Sequence, residues 1–283
     1  MAGIDLDRKR PAMTILDGTP ARTLRLDLEY DGSGFVGWQS QAKGRTVQQE
    51  LQKALRRLLQ QEVTPMGAGR TDAGTHAVAQ VAHFHTNNGM ALDRLLRGLN
   101  ALLPEDLSAT SVVSVPDDFH ARFSAQGKRY RYRISPVRVP LDRHRVWTFF
   151  RPLDLQAMER AAESLRGRLD FRAFCKALPP PDHFECHIEA AHWQQRGGEL
   201  VFEVEANRFL RHMVRILVGT FVEVGLGKMT PEDFSKLLSA DAVRSQGGQT
   251  APACGLCLMY INYEESYGGR SASSCGQRLE RLT

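Results

Sequence analysis

Residues 213–224, Met-Val-Arg-Ile-Leu-Val-Gly-Thr-Phe-Val-Glu-Val, put apolar side chains on nearly every face of a helix. Such a helix has no side to offer water, so the fold must bury it. Arg215 and Glu223 are its only charges, and eight residues are too many for an ion pair within one helix. A guanidinium stays protonated when buried and requires an anion. That anion comes from another part of the chain, with Asp72 the leading candidate, or from a ligand phosphate. Otherwise Arg215 lies at a rim and snorkels to solvent. The helix is expected over residues 209–224.

Asp72 stands in Gly69-Arg70-Thr71-Asp72-Ala73-Gly74-Thr75-His76-Ala77, just before a strand expected over residues 78–85. The two glycines mark a loop that bends sharply or is closely approached. A carboxylate on such a loop, two residues from Arg70, suits a held nucleophile or an anion-reading site. The plainer alternative is a turn in which Asp72 accepts from its own backbone.

The rest of the chain alternates elements of both kinds. Leu24, Leu26, Leu28 and Tyr30 alternate with Arg25, Asp27 and Glu29, as in a half-buried strand. Thr46-Val47-Gln48-Gln49 is a capping box that opens a helix with Val47, Leu51, Leu55, Leu58 and Leu59 as its buried stripe. A second helix carries Leu92, Leu95, Leu96, Leu99 and Leu103 up to Pro104, which ends it. With the strand at residues 78–85 these make a β–α–β–α unit ending near Val115. Tyr130, Tyr132 and Ile134 share one face of a further strand, with Arg129, Arg131 and Arg133 on the other. Asp154 caps a helix closed by Gly167, a hairpin turns at Gly197-Gly198, and a last strand covers residues 256–263. This order is too irregular for a doubly wound parallel sheet. It predicts an α+β fold: two α/β-type domains, with mixed, largely antiparallel sheets, flanking a basic cleft. The expected division is a tail over residues 1–21, domains over 22–116 and 117–264, and a disordered Gly/Ser/Arg-rich tail over 265–283.

Lys and Arg number 37 against 32 Asp and Glu, a net charge of +5 that suits a polyanionic partner. Arginines interleaved with aromatics at Arg129-Tyr130-Arg131-Tyr132-Arg133, with Arg143 and Arg145 beyond, match a surface that meets both phosphates and bases. Arg131 and Arg133 share a strand face and are the leading candidates for phosphate contacts. No apolar run approaches the roughly 20 residues needed to span a bilayer, and residues 1–10 lack the apolar stretch of a signal peptide. No membrane association and a cytoplasmic location are expected. The five cysteines are odd in number and scattered, so a disulfide framework is not expected. Cys254 and Cys257 have metal-like spacing but lead into a strand, where side chains three apart point to opposite faces. No metal site is expected.

Five segments together resemble the tRNA pseudouridine synthase A family. They are residues 30–39 with Gln41, residues 69–76, residues 115–125 with Tyr130-Arg131-Tyr132, residues 207–215, and residues 251–258. They fall in the family's order across residues 22–264. The resemblance implies an enzyme that turns uridine into pseudouridine in the anticodon stem-loop of tRNA, without metal or cofactor, as a homodimer whose subunits both contribute to the tRNA surface. Carried over by position, Asp72 is the essential aspartate and Arg70 helps to hold the flipped-out nucleotide. Tyr130 packs against the target base, Arg215 pairs with the aspartate, and Leu256 is a substrate-binding residue.

The chain departs from the family pattern at Thr75, where valine is common, and over residues 175–186, whose Pro179-Pro180-Pro181 is expected to alter the cleft rim. Two other function classes compete. One is a catalytically silent RNA-binding protein on the same fold. The other is a carboxylate-dependent hydrolase, which needs a second placed acid; Asp117 and Asp118 are the nearest candidates, although they read as a turn before Phe119.

Overall fold

The computed structural model describes residues 21–268. Its elements run β1 (Arg22–Tyr30), α1 (Val47–Leu59), β2 (Met66–Gly67), β3 (His76–Thr86), α2 (Leu92–Leu102), β4 (Leu107–Val115), β5 (Gly127–Ser135), β6 (Trp147–Thr148), α3 (Leu155–Glu163), β7 (Gly167–Asp170), β8 (Glu185–Arg196), β9 (Glu199–Ala206), α4 (Met213–Gly225), α5 (Pro231–Lys236) and β10 (Leu256–Asn262). Most of these follow the sequence pattern. Thr46 caps α1 by accepting from the Gln49 amide, and Asp154 caps α3 by accepting from that of Ala157. Gly197 and Gly198 turn the β8–β9 hairpin with positive φ angles of 54° and 84°. The β–α–β–α reading of the first part omits β4, which pairs with β1 as an edge strand.

The strands form one ten-stranded sheet in the order β4-β1-β3-β10-β5-β9-β8-β7, with β2 on β3 and β6 on β5. Pairing is antiparallel except for β10 with β3 and β5 with β6. The fold is thus α+β with a mixed, largely antiparallel sheet, as the sequence predicts. The last strand, β10, lies between β3 and β5 and joins the first half of the chain to the second.

Burial follows the pleat. Leu24, Leu26 and Leu28 of β1 pack into the core beside Leu51 and Leu55 of α1, all of them fully buried. Truncating either α1 leucine to alanine costs about 2–5 kcal/mol by loss of burial and creation of a cavity. Helix α4 is enclosed as its composition requires, with Ile216, Leu217, Val218 and Phe221 wholly inaccessible. It starts later than residue 209, because His212 adopts a left-handed conformation (φ 64°) that the helix cannot contain. Residues 209–212 instead form a loop. The other face of the sheet carries ionic pairs. Register sets Arg129 opposite Glu205 and Arg131 opposite Glu203, each with a nitrogen–oxygen distance of 2.7 Å.

Residues 265–268, assigned from sequence to the C-terminal tail, form a turn whose Tyr267 carbonyl accepts from Arg25. The remaining tail residues, 1–20 and 269–283, lie outside the described residues. No helix among the described residues is long and apolar enough to cross a membrane.

Candidate active site

Asp72 lies on the loop between β2 and β3, and the chain that follows β1 holds that loop. The Trp38 amide donates to the Thr71 carbonyl at 3.1 Å, and the Gly74 amide to the Phe35 carbonyl at 3.2 Å. Tyr30 Oη and Thr71 Oγ1 are 2.9 Å apart. Contact is close enough to demand glycine: a Cβ on Gly37 would lie 2.8 Å from the Thr71 carbonyl oxygen, and Gly37 has φ 108°. Two of the segments that carry the family resemblance are therefore one packed unit.

The Asp72 carboxylate turns toward α4. Its Oδ2 accepts from Arg215 Nη1 at 3.0 Å, while Oδ1 is 3.5 Å from His212 Nε2. Arg215 is itself braced, since its Nε donates to the Ala251 carbonyl at 2.8 Å. The anion required by the buried helix is thus a carboxylate 143 residues away in sequence. Neither side chain is sealed: Asp72 is 22% exposed and Arg215 16%. The pair is fixed yet reachable from a cleft of about 1150 Å³. That exceeds the ~300–1000 Å³ usual for a small-molecule pocket.

The composition of this cleft selects its ligand. Among the described residues, its lining includes the cations Arg70, Arg122, Lys128, Arg208, Arg211 and Arg215, with Asp72 as the one carboxylate. Such a surface attracts a polyanion. Asp117 and Asp118, the candidates for a two-carboxylate hydrolytic site, sit elsewhere. Asp117 accepts from Thr23, and Asp118 from the Tyr267 hydroxyl. Tyr130 and Leu256 line the same cleft, both buried. The Phe209 ring meets that of Tyr130 edge-on at a centroid distance of 5.1 Å. Burial raises the Tyr130 pKa, with Tyr30 and Asp72 adding to the effect, so its hydroxyl stays neutral. Arg70 is exposed at the rim. Ala177, Leu178, Pro179 and Pro181 also border the cleft.

The expectation that Arg131 and Arg133 bind substrate is not met by their placement. Alternation along β5 sends Tyr130 and Tyr132 inward and the arginines to the opposite face. There Arg131 pairs with Glu203, and Arg133 pairs with Glu199 and Asp142. Their charges are neutralised, and both line a separate cavity of about 200 Å³ with Arg145 and Asp31. Arg145 lies 3.6 Å from Asp31, and Arg143 donates to the Pro140 carbonyl.

Two cleft residues escape a reading by sequence alone. His212 sits inside the segment 207–215, and it approaches Asp72 from a left-handed backbone. Burial lowers its pKa, Asp72 opposes that shift, and Arg215 reinforces it. Lys128 donates to the Ala68 carbonyl at 2.7 Å. Burial, together with Arg122 and Arg208, lowers its pKa to about 8. One signal was available for it: Lys128 is two residues from Tyr130 and so shares its strand face.

The sequence profile of a family described as "tRNA pseudouridine synthase" matches residues 28–124 and 161–264. The chain is 47% identical over 244 residues to the tRNA pseudouridine synthase A of Moorella thermoacetica, covering 85% of this chain and 99% of that protein. It is 42% identical over 246 residues to the protein of the same name from Citrifermentans bemidjiense, covering 86% and 98%. A third, from Myxococcus xanthus, is 42% identical over 251 residues, covering 88% and 94%.

Proposed function

The chain belongs to the tRNA pseudouridine synthase family, and on that premise we propose that its cleft isomerises uridine to pseudouridine in the anticodon stem-loop of tRNA, with Asp72 as the catalytic carboxylate. The observation that carries this reading is the Asp72–Arg215 pair, held at 3.0 Å in a cleft that the described residues line with six cations and one carboxylate.

The reaction breaks the N1–C1′ bond, turns the uracil and joins C5 to C1′; C5 gives up its proton and N1 takes one up, so the product is an isomer. It needs a group that acts at C1′ or adds to C6 of the ring, and a carboxylate serves either route. Arg215 holds Asp72 in a single orientation and Ala251 holds Arg215, so the carboxylate need not reorganise when the nucleotide arrives. Tyr130, Phe209 and Leu256 offer the apolar surface against which a flipped base packs. Burial keeps the Tyr130 phenol neutral, and packing against the base is the part assigned to its ring. Unstacking a base from a stem costs a few kcal/mol. Arg70, Arg122, Lys128, Arg208 and Arg211 offset that cost through contacts with the RNA backbone.

The same reading includes a homodimer in which both subunits contribute to the tRNA surface, and a cytoplasmic location, where its substrate is. It keeps the division into halves at residues 22–116 and 117–264, with β10 returning to the boundary. It assigns no metal or cofactor to the reaction, so activity is expected to survive EDTA.

The test is Asp72→Asn, which keeps the shape of the loop but supplies neither base nor nucleophile. Pseudouridine in a tRNA transcript is read by carbodiimide modification and primer extension. The variant is expected to bind the transcript and form no product, and turnover near that of the wild type would overturn the assignment. A catalytically silent RNA-binding protein is distinguished in the same assay, since its wild-type form makes no product.

A further inference from the structure

We propose that Phe123 is a stacking platform for an unpaired nucleobase of the substrate RNA, one other than the target uridine. The inference rests on the tRNA reading above and adds a specific contact to it. Phe123 is 77% exposed and lines the cleft that holds Asp72. Single exposed apolar residues are ordinary on protein surfaces. This one differs in being rigidly presented, backed by a second ring and surrounded by cations.

The rigidity comes from the turn that carries it. The amides of Arg122 and Phe123 both donate to His120 Nδ1, at 3.1 and 3.3 Å. His120 N donates to Ser124 Oγ at 3.0 Å, and Ser124 N returns to the His120 carbonyl at 2.8 Å. Below the turn, the Ala121 amide donates to the buried His83, and the Ala121 carbonyl accepts from the Tyr263 hydroxyl. The His120 ring backs that of Phe123 at 4.3 Å between centroids and 34° between planes, and His83 backs His120 at 4.6 Å. A short column of rings thus rises from the core and ends in an exposed phenyl group. One face of the ring is left to water, and holding it in place lowers the entropic cost of ordering it when a base arrives.

The surroundings identify the base as part of RNA. The Arg122 guanidinium lies 5.7 Å from the centre of the Phe123 ring, and Lys128 and Arg208 share the cleft. An aromatic face beside backbone-tracking cations is how single-stranded nucleic acid is held without regard to sequence. The target uridine has its own apolar floor at Tyr130 and Leu256. Phe123, on the turn after Phe119, therefore takes a neighbour that is unstacked when the target leaves the stem.

The experiment compares full-length wild type, Phe123→Ala, Phe123→Leu and Phe123→Trp in binding an unmodified tRNA transcript over a salt series. The ring is exposed, so all four are expected to fold, which circular dichroism checks. The alanine and leucine variants are expected to bind about 5- to 150-fold more weakly, the range for one lost aromatic–base stack. Their dependence of log K on log salt should stay that of the wild type, because no charge is removed. Phe123→Trp should keep the affinity and show quenching of indole emission beyond that of the wild type on RNA addition. Wild-type affinity in both Phe123→Ala and Phe123→Leu overturns the platform, and leaves the enzyme assignment intact if those proteins still form pseudouridine. Full affinity in Phe123→Leu alone also overturns it, since contact with an apolar group would then suffice. A changed oligomeric state in Phe123→Ala with unchanged RNA affinity would assign the ring to a protein contact instead.

Discussion

Replacing Arg215 by methionine keeps the length of the stem and removes its charge, so it isolates the electrostatics of the site. The wild-type guanidinium is 3.0 Å from Asp72 and donates to the Ala251 carbonyl at 2.8 Å. Two unit charges about 4 Å apart attract by about 4 kcal/mol at an effective dielectric constant near 20, and by about 1 kcal/mol in water. With Asp72 at 22% exposure and Arg215 at 16%, the pair lies nearer the first case. Breaking a buried pair costs about 3–5 kcal/mol, chiefly because a charge is left without its partner. Asp72 retains some access to water and His212 Nε2 at 3.5 Å, so the lower end applies. Arg215→Met is expected to destabilise by about 3 kcal/mol. Asp72→Asn should cost about 1–2 kcal/mol, because the amide oxygen still accepts from Arg215. In the double variant neither charge is stranded, so its loss should fall short of the sum by about 1–3 kcal/mol. Equilibrium urea unfolding of the four proteins at one pH and salt concentration measures this, provided that the slopes agree. Additivity within about 0.5 kcal/mol would refute the argument, because it would mean that the pair contributes nothing jointly.

Tyr130→Phe keeps the ring and should retain single-turnover activity, whereas Tyr130→Ala should lose most of it; a large loss in the phenylalanine variant would restore a chemical role to the hydroxyl. Lys128, with its pKa lowered to about 8, loses its proton above that pH in the free protein. Affinity for tRNA is therefore expected to fall as pH rises through about 8 and to stay level in Lys128→Arg, as followed by titration calorimetry. Lys128→Met should flatten the plot of log K against log salt by about 0.7–0.9 if the ammonium meets a phosphate, while Arg131→Gln should leave it unchanged. Burial, reinforced by His120 and His85, lowers the pKa of His83 to about 4 from an ordinary 6.5. The unfolded chain therefore takes up this proton first, and stability should fall as pH drops from 6.5 toward 4, by up to about 3 kcal/mol from this residue. His83→Gln should show a shallower acid limb in thermal denaturation at a series of pH values.

Local chemistry carried much of this protein in its sequence. The Thr46 and Asp154 caps, the glycine pair of the β8–β9 hairpin and the apolar periodicity of α1 and α2 act over a few residues, and a few residues suffice to read them. The need of Arg215 for an anion was legible as one of two readings, because a helix with no polar face leaves its one early charge either paired or at a rim. Asp72 could be named as its partner because its loop has the residues of a site. What the sequence could not supply was the choice of face. An alternating strand announces two faces but not which one meets the cleft, so Arg131 and Arg133 read as phosphate ligands until β9 brought Glu203 and Glu199 against them. The same strand-level ambiguity hid Lys128, which points inward with Tyr130. The start of α4 was equally out of reach, since nothing local to residues 209–212 announces the left-handed backbone at His212. The joining of the two halves through β10 also belongs to tertiary structure. Pairing between strands that are distant in sequence depends on backbone hydrogen bonds, which any residue but proline can donate, and so leaves no mark in the side chains.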